Sequence, residues 1–104
     1  MAATFSLTRK VLDRDWVTIY GVATLSSSYA QTGEVLNLSA YFDSTTSPVV
    51  TLLSRDPTYV LYHDGGTAAA GTIQVYALAD GSEASAEADL STVTCGVIAC
   101  GPAY

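Results

Sequence analysis

Any chemistry done by this chain would have to start from very few side chains. His63 is the only histidine, and Cys95 and Cys100 are the only thiols. A histidine beside a hydroxyl or thiol could serve as a general base, but no Gly-x-Ser-x-Gly element supplies the nucleophile. His63 precedes Asp64-Gly65-Gly66, where a strand would run out into a loop, and it reads as a turn histidine. Asp64-Gly65-Gly66 and Asp80-Gly81 look like fragments of calcium loops. Neither continues into the alternating carboxylates and terminal Glu that such a loop requires, and turn formation explains both. Glu34 and Asp43 could be written as the carboxylate pair of a glycosidase, yet a chain with ten acids holds many such pairs, so spacing singles none out. The stretch 65–71 (GGTAAAG) lacks the Lys and the following helix of a phosphate loop.

The thiols lie in TVTCGVIACG (92–101), which reads as a strand. Five residues apart, they point to opposite faces, with Cα atoms roughly 16 Å from each other, well beyond disulfide reach. Two cysteines with one distant histidine do not make a metal site either. The expectation is of two unbridged thiols, no catalytic residues, no cofactor-binding residues and no metal ligands, hence not an enzyme. The seven tyrosines (20, 29, 41, 59, 62, 76 and 104) could stack on bases or sugars. Nucleic acid is excluded by charge: one Lys and three Arg face ten acids, a net charge of −6, and no basic groove can form. Tyrosine as strand and interface filler is the simpler reading.

The elements that must position these residues are strands and turns almost throughout. Thr4–Leu12 reads as a first strand, and Asp13-Arg14-Asp15 as a turn. WVTIYGVATL (16–25) alternates most clearly, with Trp16, Thr18, Tyr20, Val22 and Thr24 on one face and Val17, Ile19, Gly21, Ala23 and Leu25 on the other. Neither face is strongly charged, so both are candidates for being covered. Gly21 suggests a bulge or a close backbone approach. Trp16 opens this strand and is expected to anchor the core, which would make Trp16→Ala cost about 3–5 kcal/mol. After the SSSYAQTGE loop (26–34), Val35–Phe42 fits either a strand or a short helical turn. Val49–Leu53 reads as a short strand. Thr58–His63 and Thr72–Ala79 read as a hairpin around an eight-residue loop. The acidic stretch Glu83–Asp89 is expected to be a solvated loop, and Ser91–Cys100 the last strand. These elements predict an all-β fold, a single-domain antiparallel β-sandwich or β-barrel of about seven short strands. The domain would cover residues 1–104, with residues 1–12 as a first strand or an N-terminal arm.

Composition adds a hint about surroundings. Charged residues make up 13% of the chain, about half of what soluble domains usually carry. The polar surface falls instead to 13 Thr and 11 Ser. Charge is depleted where neighbouring subunits cover a surface, so the composition fits a tiled, self-associating protein and equally a hydroxyl-rich β-protein surface that needs no partner. No apolar run approaches the roughly 20 residues of a membrane span. The opening MAATFSLTRK lacks the layout of a secretory signal, which points to synthesis in a reducing compartment.

The segment YGVATLSSSYAQTGEVLNLS (20–39) resembles a pattern found in small head proteins of tailed bacteriophages, the capsid decoration (cement) proteins. There a strand with Gly-x-x-Thr leads into Ser-Ser-Tyr and then Thr-Gly-Gly-Glu before an apolar residue. Gly21, Thr24, Ser27, Ser28, Tyr29, Thr32, Gly33 and Glu34 stand at the matching places, although the second Gly is absent. An aromatic hairpin, an acidic stretch ending in Asp89-Leu90-Ser91 and a closing strand ending at Gly101 are similar too. The resemblance spans residues 11–101 and implies a virion protein on the capsid exterior, made in the host cytoplasm. The implied partners are the major capsid protein and further copies of itself, often as a trimer. It hands over no catalytic or binding residues. A different virion module, either head-fibre or tail-associated with a receptor- or sugar-binding β-domain, is the alternative. A small cytoplasmic enzyme or ligand carrier built on a β-barrel, marked by a deep pocket of Tyr and His63, is a more distant one.

Overall fold

In a computed structural model, residues 2–102 are described, so Tyr104 of the expected tyrosine set lies outside them. Seven strands form two antiparallel sheets. They are β1 (Thr4–Asp13), β2 (Trp16–Thr24), β3 (Glu34–Val35), β4 (Val49–Ser54), β5 (Tyr59–His63), β6 (Thr72–Ala77) and β7 (Thr94–Pro102). The larger sheet has the order β1-β2-β7-β4 and the smaller β3-β6-β5. The all-β expectation holds in its two-sheet form.

The period-two pattern of β2 is the organising feature. Val17, Ile19 and Ala23 are buried against the smaller sheet, as are their β7 neighbours Cys95, Val97 and Ala99. Across the core stand Leu61, Ile73 and Val75. The largest buried side chains come from the connections: Tyr29 between β2 and β3, and Phe42 between β3 and β4. Trp16 is not among them. It is 47% exposed, because its place in the alternation puts it on the outward face, where it pairs with Pro102. The expected core anchor is thus a surface residue, and loop-borne aromatics take its role.

Gly21 meets its expectation in full. The β1–β2 register slips between Leu7 and Arg9, a bulge opposite Gly21 and Tyr20. The Phe5 ring then lies across Gly21, and a Cβ there would sit 2.5 Å from it and collide with the Ser6 carbonyl. Residues 35–42 resolve differently from either simple reading. Pairing stops after Val35, Leu36 and Leu38 continue the inward alternation, and a single turn follows in which the Tyr41 and Phe42 amides donate to the Leu38 carbonyl. The β5–β6 hairpin with its eight-residue loop forms as expected. The 83–89 stretch is less solvated than its acidity suggests: Ala84 is buried, and Glu83 bridges to Tyr76. The last strand runs two residues past Cys100, through Gly101 and Pro102.

Candidate functional site

The carboxylates and hydroxyls that drew attention in the sequence are engaged in building turns. Asp43, Asp80 and Asp89 each accept from the backbone N–H and the hydroxyl of the residue two positions on, namely Thr45, Ser82 and Ser91. Asp56 accepts from the Thr58 N–H, and Asn37 from the Ser39 N–H and hydroxyl. These are Asx turns, and the spacing Asx-x-Ser/Thr in the sequence was their signal. The hydrogen bonds to Thr45, Ser82 and Ser91 hold the three carboxyls below their usual pKa. Asp64 accepts from the Gly66 and Thr72 N–H groups and from the Thr72 hydroxyl, which closes the β5–β6 loop. His63 is half-buried, and its Nδ1 accepts from the Gly65 N–H at 3.0 Å. Burial lowers its pKa, with the Asp64 carboxylate opposing. Among the described residues, no three His, Cys, Asp or Glu side chains converge on one point. Both thiols are free; Cys95 is buried, and burial pushes its pKa up to about 11.

The motif around 26–34 is a buried polar clasp. Glu34 is fully buried on β3, and its Oε1 accepts from the Ser26 N–H at 2.9 Å while Oε2 accepts from the Ser26 hydroxyl. One turn further, the Val75 N–H donates to the Tyr29 hydroxyl at 3.1 Å, which donates to Glu83 Oε2 at 2.7 Å. The Thr32 N–H donates to the same oxygen at 2.8 Å. Burial, with the Glu83 carboxylate adding to it, drives the Tyr29 pKa well above that of a free tyrosine. Glu34 and Asp43 do not act as a pair: Glu34 is committed to Ser26 and Asp43 to its own turn. That Glu34 would be buried was not legible, since the pattern at 20–39 that includes it says nothing of which of its residues face the core.

What remains accessible is a surface. The outward positions of β2 are Trp16, Thr18, Tyr20, Val22 and Thr24. Those of β7 are Thr94, Gly96, Ile98, Cys100 and Pro102, and those of β4 are Val49, Thr51 and Leu53. Not one carries a charge. An antiparallel sheet with one face in water normally sets polar side chains outward, yet here Trp16, Tyr20, Val49 and Leu53 are all exposed. Gly96 lies in register between Val22 and Leu53, and its missing side chain leaves a trough of about 220 Å³. Tyr20, Val22 and Ile98 flank it on one side, Leu53 and Arg55 on the other. A second hollow, of about 360 Å³, opens on the smaller sheet between Val60, Tyr62, Tyr76 and Leu78. There the rings of Tyr62 and Tyr76 meet edge to face, with centroids 5.7 Å apart. Comparison of the chain with protein-family models, curated proteins and solved structures finds no match.

Proposed function

We propose that this chain is a non-catalytic virion protein of the capsid decoration type. In this reading it docks on the outside of a tailed-phage head through the outward face of β2, β7 and β4 and stabilises the lattice. The observation that carries it is that the outward strand positions of that face are all uncharged and that Trp16, Tyr20, Val49 and Leu53 stand exposed there, with the Arg55 guanidinium reaching in over Gly96 from just past β4. Such a face is poorly suited to water and well suited to the core of an interface, where charge is depleted and aromatic side chains enriched. The phage-like pattern at 20–39 supports the same reading, because its residues form the clasp that holds the end of β2 to the β3–β6 edge. The partners are the major capsid protein and further copies of the chain. Binding only the assembled shell stabilises it by mass action, about 2.7 kcal/mol per site at a hundredfold excess over Kd, with no chemical step.

The sugar-binding alternative would draw on the Tyr62–Tyr76 hollow. Its lining is apolar apart from the two hydroxyls, and that of Tyr76 already donates to Gln74. Few polar groups are left to orient a sugar. The test is sedimentation of purified chain with phage heads that lack it. Wild-type chain should pellet with the heads, and Tyr20→Asp with Leu53→Asp should stay in the supernatant while keeping a wild-type fold. Wild-type chain that remains in the supernatant would contradict the proposal.

A further inference from the structure

A sheet that does not close on itself has two edges, and each edge strand turns half of its N–H and C=O groups away from its neighbour. The edge strands here are β1 and β4 on the larger sheet, β3 and β5 on the smaller. Three of them are guarded. β1 has a bulge between Leu7 and Arg9 and carries two adjacent cations, Arg9 and Lys10. β3 is only two residues long, and Ala2 bridges to Val35 along its outer side, with the Ala3 N–H donating to the Val35 carbonyl. β5 commits its Leu61 N–H to the Ser54 hydroxyl at the end of β4.

β4 is the exception. It runs from Val49 to Ser54 in unbroken register with β7, with no charge, proline or bulge. Among the described residues, only β7 bonds to its backbone N–H and C=O groups. Val50 and Leu52 face the core yet stay half-buried, because no strand lies beyond them. On the outward side Val49 is 62% and Leu53 51% exposed. An apolar edge of this length is a template for one further strand.

The sequence of β4 selects that strand. Opposite residues in an antiparallel pair share a face, so a strand that pairs with its own copy about a twofold axis, faces aligned, centres on a residue. With the centre at Thr51, Val49 meets Leu53, Val50 meets Leu52 and Thr51 meets its own copy. The exposed outward aliphatics then cover each other, the half-buried inward ones do the same, and Thr opposite Thr is a favourable cross-strand pair. No charge is brought opposite a like charge, which matters between copies of net charge −6. Ser54, already bonded to β5, stays outside the pairing.

We propose that β4 of one copy pairs antiparallel with β4 of a second copy about a twofold axis through Thr51. The two four-stranded sheets become one, and their uncharged outward faces run together across the join. The contact rests on the self-associating part of the proposed function and gives it a surface and a symmetry, but its test requires no capsid.

A residue on the axis faces itself, which gives the contact a mixing signature. Thr51→Lys and Thr51→Asp each set like charges opposite one another, and position 51 is exposed, so the fold is spared. In sedimentation at about 100 μM, wild-type chain should run as a dimer and each variant alone as a monomer, at least about tenfold weaker in association. An equimolar mixture of the two variants should give a dimer, which also shows that both are folded, and this dimer should weaken as salt rises. A monomeric wild type, a variant that dimerises alone, or a mixture that stays monomeric would overturn the proposal. Dimers that behave as expected while heads fail to bind the chain would contradict only the capsid reading, and a monomeric chain that binds heads would contradict only this pairing.

Discussion

Glu34 shows how tightly single residues are tied to partners in this protein. Its carboxylate is fully buried, and both oxygens depend on Ser26. Ser26→Ala removes the hydroxyl and leaves Oε2 short of a donor in a site that water does not reach, which should cost about 1–3 kcal/mol in chemical denaturation. Titration adds a second set of expectations. Burial depresses the His63 pKa, so the unfolded chain takes up a proton first as pH falls below the ordinary histidine value, and stability declines from there. Asp43, Asp64, Asp80 and Asp89 are also depressed, and their contribution is present above the ordinary carboxylate pKa and lost as pH drops through the lowered values. On the alkaline side Tyr29 and Cys95 are raised, so their contribution is complete below the free-residue values and is lost as pH rises beyond them. Melting temperature should therefore be flat between these limits and fall on both sides, and His63→Asn should remove the first part of the acid decline.

Among the elements, the strongly alternating ones were legible in the sequence and the loop-built ones were not. Strand β2 and the β5–β6 hairpin could be read directly, because period-two burial and a Gly-rich connection leave a clear trace. The close approach at Gly21 was also foreseen, and Gly21→Ala should cost about 1–3 kcal/mol as the Phe5 ring is forced aside. The path of residues 35–42 was not legible, since two residues of strand followed by one turn satisfy the same apolar spacing as either element alone. The place of Trp16 was misjudged for a related reason. Alternation says that two faces exist but does not say which one the second sheet will cover, and size alone favoured the tryptophan. Phe42, which packs beneath Gly101, carries the load instead. Phe42→Ala should cost about 3–5 kcal/mol, and Trp16→Ala no more than about 1 kcal/mol, in the same unfolding assay.

At the scale of the whole molecule, the scarcity of charge in the sequence becomes a spatial statement. The 13% of charged residues gather on the hairpin and in turns and leave the outward strand positions of β2, β7 and β4 uncharged, with Arg55 reaching in over Gly96 from just past β4. The sequence carried the scarcity but not the location, because location depends on which strands become neighbours, and β7, last in the chain, inserts between β2 and β4. In the proposed role no chemical step is needed: burial of this face against a shell would supply the energy, and the clasp at Ser26, Tyr29 and Glu34 ties the end of β2 to the smaller sheet. The most direct measurement is the thermal release of packaged DNA from phage particles assembled with and without the chain. Particles lacking it should assemble and then release their DNA at a lower temperature, with the loss restored by wild-type chain and not by the Tyr20→Asp, Leu53→Asp variant. Equal release temperatures with and without the chain would contradict the account.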